Sequence, residues 1–385
     1  MLLHKLFFIC SATASFPAFA HVKWFASIGN GASSPLCPAD VVFSSNFIGV
    51  AMVALAIMSI VSVLDRRISG ENGFVGQLAV SIERRITGWE TAILRFGVAA
   101  YFTMVGFYFS DAPIILTPEL RTESALIPAL QIVIAISALF RRSTLITALG
   151  IALLYAYSVM VYGWFHMLDY LLFLGVAGFL ALDWANHPRK RSLGLSVLRI
   201  TVGFSFLWVS VEKWMYPEWA YDLLRHDLHI LLMGLSPQFF VTGAAFVEFC
   251  LAFTLLFGGL ASQVAATVLF ILLILAIPLV GVVDAIGHTP ILVSLFLLAT
   301  TRNGLANPVI KTHPSRDMLI SLAVSILGFI GAYYIGHEIA YSTSGPVNWV
   351  ANAVSTILLA ALIWRVVRST PRIFQQLTRL TAFTH

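Results

Sequence analysis

The sequence predicts an all-α, polytopic transmembrane helical bundle, and three observations carry that prediction. Of 385 residues, 59% are hydrophobic and only 11% are charged, whereas soluble domains carry about 25% charged residues. Mean hydropathy is +0.90, an apolar excess that suits bilayer hydrocarbon rather than water. Apolar runs of spanning or near-spanning length recur along the whole chain, and none alternates with period two, which argues against an outer-membrane barrel.

The chain opens with Lys5, an apolar stretch from Leu6 to Phe16, and the small-x-small pattern Ala18-Phe19-Ala20. This reads as a signal peptide over residues 1–20, with cleavage leaving His21 as the new N-terminus. An uncleaved signal anchor is the alternative, and both readings put His21 outside. An exported segment follows over 21–43, then a first transmembrane helix over 44–64 and a cytoplasmic loop over 65–90. Further apolar runs lie at roughly 91–109, 125–140, 144–163, 166–183, 195–214, 239–257, 262–283, 288–301, 317–336 and 347–365. With the first, that makes eleven expected helices. They group as a four-helix unit over 91–188, a second over 195–308, two C-terminal helices over 317–366 and a cytoplasmic tail over 367–385.

Basic residues set the expected orientation. Alternate loops and the tail hold sixteen of them, among them Arg66, Arg67, Arg84, Arg85, Arg141, Arg142, Arg189, Lys190 and Arg191. The opposite loops hold four: Lys23, Arg121, Lys213 and Arg225. The positive-inside rule then places the mature N-terminus outside, in the periplasm of a bacterial-type inner membrane, and the C-terminus in the cytoplasm. The net charge of +5 therefore reports topology. There is no basic patch interleaved with aromatics and no Gly-rich phosphate loop, so nucleic acid is not an expected partner. Cys10, Cys37 and Cys250 form no CxxC or CxxCH, which argues against disulfide relay, c-type haem and cysteine-held clusters.

The two four-helix units share an order of residues. LRFGVAAYFTMVGFY from Leu94 parallels LRITVGFSFLWVSVEKW from Leu198, matching Arg95 with Arg199. ALQIVIAISALF parallels FVEFCLAFTLLF, matching Gln131 with Glu248; His166 then matches His288, and the units close at Pro188 and Pro308. Four helices per unit give both the same orientation, a parallel repeat rather than the inverted repeats of many transporters. Chance likeness between apolar helices is the alternative. The extra length of the second unit, EKWMYPEWAYDLLRHDLHILLMGLSP, mixes aromatics and charges as an interfacial, partly helical loop does.

The second unit resembles the DoxX family of four-helix membrane proteins. The resemblance rests on Leu198-Arg199 at a helix start, Lys213 and Pro217 at its outer end, and the mid-helix acid Glu248 before Gly258-Gly259. It covers about 110 residues, from the Leu198 region to the end of the second unit. The first unit keeps Arg95 but has Tyr108 to Ser110 where Glu212 and Lys213 stand, and Gln131 for the acid. The resemblance implies a four-helix bundle and, in characterised relatives, quinone-coupled redox chemistry or partner redox complexes.

The candidate site residues are ionisable groups at membrane depth, which are costly and usually face a bundle interior. Glu248 is a candidate proton carrier or quinol hydrogen-bond partner, or else half of a structural pair. Glu212 and Lys213 are adjacent, so a helix points them about 100° apart; as catalytic candidates they compete with the reading of Lys213 as an interfacial anchor beside Trp208 and Trp214. Arg199, a cofactor-binding candidate, and Arg95 are also explained by snorkelling to lipid phosphate. Six histidines map outside: His21, His166, His226, His229, His288 and His337. Imidazole binds copper, zinc or haem iron, so these form a candidate metal set, with Asp40, Asp169, Asp227, Asp284 and Glu338 as nearby acids. Histidine is equally at home at a membrane interface. The sequence thus supports a subunit of a quinone-linked redox system with a His-rich outer site. A copper-binding membrane protein and a non-catalytic scaffold for an exported complex are the alternatives.

Overall fold

The structure, a computed structural model, describes residues 34–68, 74–184, 187–226, 232, 234–256, 259–301 and 315–341. The signal peptide, His21, His229, the side chain of His226, Gly258, the run over 347–365 and the tail lie outside the described residues. Among the described residues all regular structure is helical, apart from one isolated antiparallel bridge between Ile114 and Arg121. Ten of the expected apolar runs are found as helices.

In chain order these are α1 Pro38–Val42, α2 Ser45–Ile68, α3 Phe74–Ile86, α4 Glu90–Tyr108, α5 Leu126–Leu139, α6 Thr144–Tyr162, α7 Trp164–Met167 and α8 Leu172–Trp184. Then follow α9 Pro188–Met215, α10 Pro217–His226, α11 Pro237–Leu255, α12 Gly259–Val280, α13 Val282–Thr300 and α14 Ser315–Tyr341. Eight are long and apolar enough to cross a membrane, and α7 with α8 adds a ninth span bent by 64°. The protein is therefore a multi-pass membrane bundle whose outer helices contact lipid. Successive spans run antiparallel. One end of the bundle gathers Arg84, Arg85, Arg141, Arg142 and Arg189 to Arg191, and is termed the arginine end. The other carries His166, His288 and His337, and is termed the histidine end.

Four local features depart from the expected spans. The loop over 65–90 contains α3, whose thirteen residues bury Ala79 but expose Leu78, Ile82, Arg84 and Arg85. Such a two-faced helix suits a membrane surface. The helix expected over 195–214 begins earlier, at Pro188, because proline fits a first helical turn and His187 Nδ1 accepts the Arg189 amide at 3.2 Å. Arg191 Nε then donates to Asp183 at 2.7 Å. The run over 166–183 is broken into α7, a 3-10 turn at Leu168–Tyr170, and α8. Helix α5 has only 14 residues, about 21 Å of rise against a hydrocarbon core of about 30 Å.

The short α5 is completed by the segment before it. Residues 113–122 fold back into the bundle from the histidine end as a hairpin. Ile114, Ile115, Leu116 and Leu120 are fully buried. Ile115 N–H donates to Leu120 O at 2.7 Å and Thr122 N–H to Pro113 O at 2.9 Å. Irregular backbone at membrane depth is tolerated only where protein satisfies it, and here the satisfaction comes from side chains. Gln131 Nε2 donates to Ile114 O at 2.7 Å and Ile115 O at 2.9 Å, and the Tyr101 hydroxyl donates to Leu116 O.

Helix packing follows one neighbour order twice. Helix α4 packs on α5, α5 on α6 and α6 on α8; α9 packs on α11, α11 on α12 and α12 on α13. The quartets join at both flanks, α8 on α9 and α13 on α4. Central α9 has 83% of its span buried, whereas peripheral α2, which leans on α11 and α14, has 28%.

Close approach at the α8–α9 seam requires glycine. A Cβ on Gly175 would lie 1.8 Å from Thr201 Oγ1 and 2.9 Å from Thr201 Cβ. Thr201 Oγ1 is itself held, donating to Val197 O and Leu198 O at 3.0 Å. We expect Gly175→Ala to destabilise the bundle by about 1–3 kcal/mol, the usual range for overpacking. Thr201→Ala should recover part of that loss when added to it, as read by unfolding in mixed micelles.

Candidate functional site

Helix α9 is long and almost wholly enclosed, so its polar residues need partners inside the bundle. Toward the histidine end it carries Ser205, Ser210, Glu212 and Lys213, all buried. The Ser205 hydroxyl accepts the Leu172 amide at 3.1 Å, and the Ser210 hydroxyl donates to Phe206 O at 2.7 Å. Glu212 and Lys213 diverge around the helix as their adjacency requires. Glu212 turns to α14 and accepts the Tyr333 hydroxyl at 3.3 Å. Lys213 turns to α11 and donates to Glu248 Oε2.

The Lys213–Glu248 pair is the core of the candidate site. The two side chains are 5% and 1% exposed, so the ammonium is not the interfacial anchor that its neighbouring tryptophans suggested. The Lys213 ammonium is held by Glu248 of α11 rather than by water. Glu248 sits near the middle of α11. Its second oxygen, Oε1, is buried without a hydrogen-bond partner in the structure. Trp214, next in sequence to Lys213, packs on Phe246 and Phe249 of α11, whose ring centroids lie 4.7 Å and 5.5 Å from the indole. A narrow apolar cleft between α10 and α11 reaches Lys213; Ala220, Leu223 and Leu224 line one side, Phe240, Val241 and Ala244 the other. Helix α10 belongs to the expected interfacial, partly helical insert, and forms one wall of the cleft.

Arg199 does not join this site. It lies fourteen residues before Lys213 on α9, about 21 Å away along the axis. It is 4% exposed, and its Nη2 reaches Thr301 O, at the end of α13, at 3.5 Å. Arg95 is likewise buried, with Nε donating to Ala138 O at 2.8 Å and Nη2 to Leu139 O, at the end of α5. Both guanidiniums thus satisfy orphan carbonyls at helix C-termini. Snorkelling to lipid phosphate is corrected for both, because the nearest acceptors are inside the protein.

The described histidines lie apart. His166 Nε2 is 3.0 Å from Glu119 Oε1, which also accepts the Tyr170 hydroxyl. His288 Nδ1 is 3.0 Å from Asp284 Oδ1, one turn back on α13. His337 Nδ1 is 3.9 Å from Glu338 Oε1 on α14. Each imidazole therefore has its own carboxylate, and His337 also packs on Phe165, the neighbour of His166. Among the described residues no group of three or more His, Cys, Asp or Glu side chains is placed to hold a metal ion. A shared centre of His166, His288 and His337 is not assembled, because residues sharing a side of the membrane need not share a direction around it.

Three functional features escaped sequence reasoning. Glu119 sits in what reads as an outer loop, yet it ties the hairpin to α7 and the 3-10 turn. Tyr333, in an apolar run, meets Glu212. The hairpin itself offers only backbone carbonyls, which carry no sequence signature; Gln131 in the middle of an apolar helix was the available signal. Gln131, matched with Glu248 by sequence, holds this hairpin where Glu248 holds Lys213. No family model, no curated protein and no solved structure matches the chain.

Proposed function

We propose that this membrane protein binds the head ring of a quinone at the Lys213–Glu248 pair and serves as a subunit of a redox system in a bacterial inner membrane. The observation that carries the reading is a buried ion pair with one carboxylate oxygen left over; the apolar seam between α10 and α11 beside it must part to admit a ring. Burying such a pair adds little stability over apolar residues of the same size, so its presence asks for another reason. A lipid-soluble ring with carbonyl acceptors and hydroxyl donors suits a buried cation paired with a carboxylate. Its carbonyl would accept from the Lys213 ammonium, and a quinol hydroxyl would donate to Glu248 Oε1. The tail would lie along Leu223, Leu224 and Val241. Glu212 supplies negative charge next to Lys213 and is a positioning residue in this scheme. Electrons from a quinol would pass to a partner protein. The DoxX resemblance of the second unit points to the same chemistry, and the arginine loops favour a periplasmic histidine end and a cytoplasmic C-terminus.

The test is ligand titration on the purified full chain in lipid nanodiscs. A short-tail ubiquinone analogue should quench tryptophan fluorescence saturably through Trp214. Glu248→Gln should weaken binding of the quinol form more than the quinone form, because it loses an acceptor while keeping bulk. Absence of saturable quenching, or equal effects on both redox forms, removes the quinone reading and leaves a scaffold role.

A further inference from the structure

Four oxidisable rings form an unbroken file at the histidine end, next to the candidate site but not part of it. Trp219 on α10 lies flat against Tyr216, with centroids 4.4 Å apart and planes 3° from parallel. Tyr216 meets Tyr333 of α14 edge-on at 6.3 Å. Tyr333 meets Trp208 of α9 at 5.0 Å. All four side chains are buried, at 8% exposure or less. Trp208 stands seven residues before the end of α9, about 10 Å deeper along the axis. Packing alone rewards aromatic contact of this kind by about 0.5–1.5 kcal/mol per pair, but it does not explain the hydrogen bonding. The Trp219 indole N–H is buried without an acceptor in the structure, whereas the Tyr333 hydroxyl points at the Glu212 carboxylate.

That difference has a redox consequence. A ring that loses an electron becomes strongly acidic, and the vacancy settles where the proton can leave. We propose that Trp219, Tyr216 and Tyr333 are a one-electron relay, with Trp208 packed at its inner end, and that Tyr333 with Glu212 is its proton-coupled resting point. Tyrosine and tryptophan yield electrons only to strong oxidants, so the relay serves high-potential species such as a ferryl haem at the histidine end rather than a quinol. In the full step the oxidant takes one electron from Trp219 and is reduced by one. The vacancy passes through Tyr216 to Tyr333. The phenolic O–H of Tyr333 breaks, its proton forms a new O–H on Glu212, and a neutral tyrosyl radical remains. The relay shares Glu212 with the Lys213 site but takes its oxidant at Trp219, so radical formation is read without a ligand at Lys213.

Flash-quench oxidation tests this on the full chain in nanodiscs, with tris-bipyridyl ruthenium as sensitiser and cobalt pentaammine chloride as quencher. Freeze-trapped samples are read by electron paramagnetic resonance. The wild type should give a neutral tyrosyl signal that disappears in Tyr333→Phe. Glu212→Gln should lower the yield several-fold and Trp219→Phe should slow its appearance, with helical circular dichroism unchanged in all three. An undiminished tyrosyl signal in Tyr333→Phe, equal yield in Glu212→Gln, or no tyrosyl radical in the wild type would overturn the proposal.

Discussion

Lys213→Ala is expected to cost about 3–5 kcal/mol of bundle stability, the usual consequence of removing one partner of a buried ion pair. The remaining carboxylate of Glu248 would stay buried between α9 and α11, with no ammonium to answer it. The double replacement Lys213→Met with Glu248→Leu should regain most of the loss, because matched apolar side chains remove the desolvation of both charges. Unfolding in mixed micelles, followed by tryptophan fluorescence, measures all three proteins. A loss below about 1 kcal/mol for Lys213→Ala is the range of a surface pair, and would mean that the two groups are solvated.

Gln131→Leu should be the second severe substitution. It keeps the apolar shape of α5 but strips the donor from Ile114 O and Ile115 O. Each buried carbonyl left alone costs about 1–3 kcal/mol, so the pair costs about 2–6 kcal/mol by the same principle. The damage should be local, because Tyr101, Glu119 and Tyr162 still hold other points of the hairpin; the Tyr162 hydroxyl donates to Arg121 O at 2.7 Å. Trypsin cleavage at Arg121 should therefore accelerate before the bundle melts. Gln131→Glu, which installs the second unit's residue in the first, should be worse than leucine, since an ionised carboxylate turns acceptors toward acceptors.

The membrane spans were legible because hydrocarbon imposes a strong and simple demand on composition. The ten runs from 44–64 to 317–336 all became helices, with ends displaced where polar first turns hid them, as at Pro188. Helix α3 was passed over because its apolar residues occupy one face and its mean polarity looks like a loop. The ionisable candidates were legible one at a time. Glu248 and Lys213 stand out as charges within or next to apolar runs, but their pairing over 35 residues depends on how α9 packs against α11. Arg199 was legible as unusual and misread as to partner, since the carbonyl it meets at Thr301 is backbone. The histidines show the limit most clearly. Sequence assigns a residue to a side of the membrane through the loop in which it falls. It does not assign an azimuth, and so could not foresee that His166, His288 and His337 each meet a different carboxylate.

A cup between four membrane helices, open at one end, invites water to a depth where only a thin apolar floor separates two compartments. The hairpin over 113–122 stuffs such a cup with the chain's own peptide, down to Gln131, on the order of 8 Å below the start of α5. At that depth the first quartet of helices holds packed peptide with its carbonyls answered, in place of a water-filled hollow.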